Sequence, residues 1–81
     1  MSYTPELISE LEILSLFSLD NALEGLKVHK DAGQAAVDAA QRLYAKGLTS
    51  QPDGGYLTSL GRDAAEHAQG LLTILSETAP A

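Results

Sequence analysis

Residues 46–64 read KGLTSQPDGGYLTSLGRDA, and this stretch limits the possible folds more than any other. Pro52 presets its own φ at the second position of a tight turn, and the glycines behind Asp53 accept positive φ. The flanks LTS and GYLT are short and partly β-favouring, so a minimal hairpin is predicted over about 48–57. A two-stranded hairpin is not stable alone in water and must lean on other elements. On both sides of this one, apolar residues recur at helical spacing.

The first helix has a clear start. Thr4 is placed to cap it, Pro5 takes the first helical position and Glu6 favours the dipole. Leu7, Ile8, Leu11 and Leu14 follow at three- and four-residue spacing, while Glu6, Glu10 and Glu12 mark a wet side. The apolar run on through Leu16, Phe17 and Leu19 predicts burial on more than one side. Asp20 or Ser18 is placed to cap a short second helix, NALEGLKV, in which Gly25 either weakens the helix or sits where another backbone comes close. HKDAG reads as a turn. Asp31 with Gln34 three residues on has capping-box spacing for a third helix. That helix places Ala36, Val37, Ala40, Leu43 and Tyr44 inward, and Lys46-Gly47 is a standard stop. Thr58 is placed to cap a last helix over about 58–76, with Leu60, Ala64, Ala68, Leu71 or Leu72, and Leu75 as its inner stripe. Pro80 closes a tail, 77–81, that is expected to fray.

The predicted fold is therefore mainly α with one small hairpin, in the order α-α-α-β-β-α, as a single domain over 1–81. This is the layout of a winged helix-turn-helix, with the hairpin as the wing. A chain of 81 residues holds one core and no deep cleft between domains. The absence of cysteine excludes disulfides and thiolate metal sites and suits a reducing cytoplasm. No signal peptide is visible at MSYTPELISE, and LISELEILSLFSL is too short and too charged to span a membrane.

The net charge of −6 opposes binding to nucleic acid and anionic membranes. Its distribution is uneven. Residues 1–25 hold five acids and no Lys or Arg, whereas Lys27, Lys30, Arg42 and Lys46, four of the five basic residues, lie in 26–49. Such asymmetry hints at a binding face.

Residues 39–68, AAQRLYAKGLTSQPDGGYLTSLGRDAAEHA, carry a resemblance. Leu43 to Leu48 form a Leu-x-x-x-Gly-Leu element, an Asp-Gly turn follows, and GYLTSLGRDA joins a strand end to a helix start. This grammar resembles winged-helix bacterial regulators of the MarR and PadR type. The whole chain also looks like a small family of uncharacterised bacterial proteins described as DNA-binding. The resemblance implies duplex DNA as the partner, bound by a transcriptional regulator or DNA-associated accessory protein. On that reading Lys27, His29, Lys30, Gln34, Gln41 and Arg42 form the nucleic-acid face. Lys27, His29, Lys30 and Gln34 would stand at the turn and start of the reading helix, touching phosphates and a base edge, and Arg42 would add a phosphate contact.

The alternative is an acidic winged-helix module that binds protein. The third helix starts with Ala32, Gly33, Gln34 and Ala35, and the wing tip carries Asp53 and no cation, which favours this second reading. The Leu and Ile surplus in ILSLFSL and GLLTIL predicts a homodimer through the terminal helices. Catalytic signatures are missing: there is no Ser-His-Asp order, phosphate loop or Gly-rich nucleotide motif. Glu10, Glu12, Asp20 and Glu24 read as solvated carboxylates. Asp63 and His67 share a helix face but lack a third ligand, so neither metal nor cofactor is expected. Tyr44 and Tyr56 read as core residues.

Overall fold

The computed structural model describes residues 3–21 and 23–77. Its elements are α1 (Pro5–Leu14), β1 (Leu26–Lys27), a 3-10 turn (Lys30–Ala32), α2 (Gln34–Ala45), β2 (Thr49–Gln51), β3 (Gly54–Leu57) and α3 (Ser59–Glu77). The chain is mainly helical with a small antiparallel sheet, strand order β1-β3-β2, in a winged-helix-like layout.

Local chemistry sets most of the boundaries as expected. The Leu7 amide donates to the Thr4 hydroxyl at 3.1 Å and Pro5 opens α1. At the end of α2, Gly47 takes φ +83°. Its amide donates to the Tyr44 carbonyl at 3.0 Å and the Leu48 amide donates to the Leu43 carbonyl at 2.9 Å. Those two bonds are a Schellman motif, and they close the helix where a left-handed residue is available. Pro52 and Asp53 form the two-residue hairpin loop, and Gln51 pairs with Gly54. Thr58 caps α3, accepting from the Gly61 amide at 3.0 Å.

The predicted second helix does not form. The Asn21 side chain accepts from the Leu23 amide at 3.0 Å and the Asn21 carbonyl accepts from the Glu24 amide at 3.1 Å. This local turn competes with a helix; Ala22 lies outside the described residues. Leu26 and Lys27 then pair with Gly55 and Gly54, and the Val28 amide donates to the Asp53 carbonyl at 2.8 Å. Gly25 does sit at a close backbone approach, because a Cβ there would meet the Gly55 carbonyl at 3.2 Å. What should have been the short helix of a helix-turn-helix is therefore a third strand and a 3-10 turn.

The capping box is absent too. Asp31 lies within the 3-10 turn, Gly33 precedes α2 without a side-chain cap, and Gln34 Nε2 reaches forward to Asp38 Oδ1 at 2.7 Å.

The core contains Ile13, Leu14 and Phe17 from α1 and its extension, Ala39 and Leu43 from α2, and Ala65 and Ala68 from α3. Leu26, Val28, Leu48 and Leu57 pack against it from the sheet and its flanks. The start of α3 lies directly on the hairpin. The Thr58 amide donates to the Leu48 carbonyl at 3.1 Å, and a Cβ on Gly61 would fall deep inside that carbonyl. Two α3 side chains tie down the segment after α1. Gln69 Nε2 donates to the carbonyls of Leu14 at 3.2 Å and Phe17 at 2.7 Å, and Arg62 donates to the Leu19 carbonyl at 2.7 Å.

Several inward assignments differ from expectation. Tyr44 and Tyr56 are about half exposed, at 46% and 48%, so neither belongs to the core. The inner strip of α3 runs through Gly61, Ala65 and Ala68, not Leu60. Every residue from Gly70 to Glu77 is exposed. α1 buries only the strip that includes Glu10, Ile13 and Leu14, while Leu7, Ile8 and Leu11 on its other side stay open. Pro80 and the tail 78–81 lie outside the described residues.

Candidate functional site

The basic residues of the central segment meet acids of the same chain. Arg42 and Lys46, four apart on α2, share one helix face. Both close on Glu10 of α1: Arg42 Nε donates to Glu10 Oε2 at 3.0 Å, and Lys46 Nζ donates to Glu10 Oε1. Arg42 also donates to the Glu6 carbonyl at 3.1 Å. Glu10 is buried, contrary to its expected place on the wet side. Burial pushes its carboxyl up, but the hydrogen bonds from Lys46 and Arg42 and their charges outweigh that, and it is held below its ordinary range.

Lys27 lies 3.8 Å from Asp53 at the hairpin tip, and both are well exposed. Arg62 lies 3.8 Å from Glu66 on α3. Lys30, in the 3-10 turn, has no ion pair among the described residues. Four of the five cations thus have an intramolecular counter-charge. The exposed pairs are weak individually, but each acid offsets part of the field its cation offers to an external phosphate.

The six residues expected to form a nucleic-acid face do not converge. Lys27 and His29 line an open groove of about 590 Å³ between α1, β1 and the start of α2, together with Glu12 and Asp31. Lys30 adjoins them on the turn, and Gln34 is exposed and bonded to Asp38. Gln41 faces a hollow beside the hairpin tip, with Pro52 and Asp53. Arg42 turns to the opposite side, toward Pro5, Glu6 and Ser9 of α1. His29, Lys30, Gln34 and Gln41 are all exposed. Among the described residues, no group of three His, Asp or Glu side chains could hold a metal, and no helix is long and apolar enough to cross a membrane.

A second surface has the opposite character. Ile8, Leu11, Glu12 and Ser15 of α1 and its C-cap face Ala68, Leu71 and Leu72 of α3 across a groove of about 190 Å³. Leu11, Leu71, Leu72 and Leu75 are 40%, 56%, 47% and 65% exposed. Glu12 is the charged side chain on this groove, and Ser15 is its other polar residue. Large apolar side chains of both helices are thus contiguous and open to solvent at this groove. The surplus of Leu and Ile in the terminal helices was legible as more than the core needs; the residues that meet at this one groove were not.

Fold and surface together define a small, acidic, winged-helix-like module. The chain belongs to DUF5669, a family of unknown function, whose model matches residues 1–76. Comparison with curated proteins and with solved structures gives no match.

Proposed function

We propose that this chain is an acidic winged-helix-like module of the cytoplasm that recognises protein rather than nucleic acid, through the apolar groove between α1 and α3. The observation that carries this reading is the fate of the cations. Glu10 holds Arg42 and Lys46, Asp53 faces Lys27, and Glu66 faces Arg62, while net charge stands at −6. A protein that binds duplex DNA gains its affinity by releasing counterions from phosphates, which needs unpaired cations on one face. Catalysis and a cofactor form no part of this reading.

Direct DNA binding is the second reading. It is favoured by the winged-helix-like layout and by exposed His29, Lys30, Gln34 and Gln41 around the start and outer side of α2. Fluorescence anisotropy against mixed-sequence duplex DNA at about 50 mM and about 200 mM salt separates the two, because phosphate contacts weaken steeply over that range. We expect no binding at the lower salt. Binding that falls with salt and disappears in Lys27→Glu/Lys30→Glu would overturn the protein-recognition reading.

A further inference from the structure

Among the described residues β3 is the only strand beside β1, so β1 has one edge that no strand covers. Leu26 stands opposite Gly55 and Lys27 opposite Gly54, and Val28 donates its amide to the Asp53 carbonyl at 2.8 Å. In an antiparallel pair, residues that bond across alternate with residues whose N–H and C=O point away. Leu26 and Val28 therefore direct their backbone groups to β3. The N–H and C=O of Lys27 and the N–H of His29 point to the open edge, while the His29 carbonyl accepts from the Ala32 amide at 3.0 Å.

The groove of about 590 Å³ between α1, β1 and the start of α2 runs along that edge. Leu26, Lys27, Val28 and His29 all line it. Side chains of a strand alternate between faces, so a hollow against one face would meet every second residue. A hollow that meets consecutive residues lies beside the backbone edge. His29 keeps an extended backbone, φ −80° and ψ 158°, so the edge runs for about four residues, roughly 13 Å. Ile13 and Leu16 of α1 and its extension line the same groove, and Ala32 and Ala36 leave it open with their small side chains. Its charges are uneven. Lys27 already faces Asp53 at 3.8 Å. Glu12 and Asp31, which also line it, have no ion pair among the described residues.

We propose that this groove takes an extended segment of another protein as an added strand on β1, a segment in which apolar residues alternate with Lys or Arg. Its backbone pairs with Lys27 and His29. Its apolar side chains enter the groove against Ile13, Leu16 and Ala36, and its cations meet Glu12 and Asp31. Added strands gain affinity from main-chain hydrogen bonds and specificity from alternate side chains. A second copy of this chain is a poorer occupant, because it brings a further charge of −6. The site goes beyond the α1–α3 groove and lies on the other side of α1, although Glu12 and Ser15 border both.

The test is amide exchange and an NMR titration of the isotope-labelled full chain with a capped peptide of four Val-Lys repeats, up to about 5 mM, which reaches millimolar dissociation constants. In the free chain the Val28 amide should exchange slowly and the Lys27 and His29 amides fast. With peptide, the Lys27 and His29 amides should shift and become protected. Lys27→Pro removes the outward N–H at an edge position where proline is tolerated, and should weaken binding about tenfold. Lys27→Ala keeps that N–H and should bind as the parent does. A peptide of four Val-Glu repeats should bind about tenfold more weakly than the Val-Lys peptide. Lys27 and His29 amides that neither shift nor gain protection overturn the site. Equal binding by Lys27→Pro and Lys27→Ala overturns the added strand, and equal binding of the two peptides overturns the basic segment. Protection of Lys27 and His29 that grows with concentration of the chain alone assigns the edge to a second copy and overturns the proposal as well. None of these results depends on the α1–α3 groove or on the DNA titration, so this site and the reading above fail separately.

Discussion

Glu10 is acidic, buried and held by two cations from another helix, so its effect on stability has a definite sign. Its carboxyl binds protons less readily in the folded chain than in the unfolded one, whose ordinary value is 4.5. The unfolded chain therefore takes up the proton first as pH falls. The stabilisation is fully present above about pH 4.5 and is lost as pH drops through the lower folded value. Glu10→Gln removes the charge that Arg42 and Lys46 address, and should cost about 1–3 kcal/mol at pH 7. The variant should also lose less stability than the parent between pH 6 and pH 3. Urea unfolding at those pH values checks both statements. This site was not legible from α1 alone, where Glu10 shares its helix with Glu6 and Glu12. The available signal was on α2, where Arg42 and Lys46 sit four residues apart and present one positive face. Gly61 is the other residue with a strict requirement. A methyl group there collides with the Leu48 carbonyl, which is backbone and cannot rotate away. Gly61→Ala should therefore destabilise by about 1–3 kcal/mol despite its better helix propensity, as overpacked positions do. Chemical denaturation would show it as a lower midpoint.

Among the elements, most of those fixed by contiguous residues were readable, the Asp31–Gln34 capping box excepted, and those fixed by a distant partner were not. The Thr4 and Thr58 caps, the Gly47 stop and the Pro52-Asp53 turn each depend on side chains within a few residues, and each appears as the chemistry dictates. The segment NALEGLKV has helical composition, yet Leu26 and Lys27 are claimed by β3, whose partner strand lies more than twenty residues away. The same limit applied to α3. Periodicity identified an apolar side running to Leu75, but how much of that side is covered depends on how α1 packs against it. Gly70 offers an independent check on α3. A Cβ there would meet nothing within 4 Å, and its φ is not in the left-handed region. Gly70→Ala should raise stability by about 0.5–1 kcal/mol through helix propensity, read as a melting temperature several degrees higher.

For the whole molecule, the arrangement divides into a polar half and an apolar half. On the α2 and hairpin side every cation but Lys30 faces an acid, and the α1–α3 groove is lined mainly by large apolar groups. On the protein-recognition reading the second side is the one used, which is why the DNA titration is expected to be negative. The winged-helix-like layout by itself selects neither protein nor DNA, since a fold supports many functions and the site decides among them.

The contact between Gly61 and Leu48 also bears on how such a chain can change over generations. Backbone touches backbone there, so no side-chain exchange on one side can compensate for a larger residue on the other. Insertions at the hairpin tip, beyond Gln51, leave that contact untouched, whereas anything larger than glycine at 61 must lift the last helix off the hairpin. The root of the wing and the start of α3 can therefore only move as one unit.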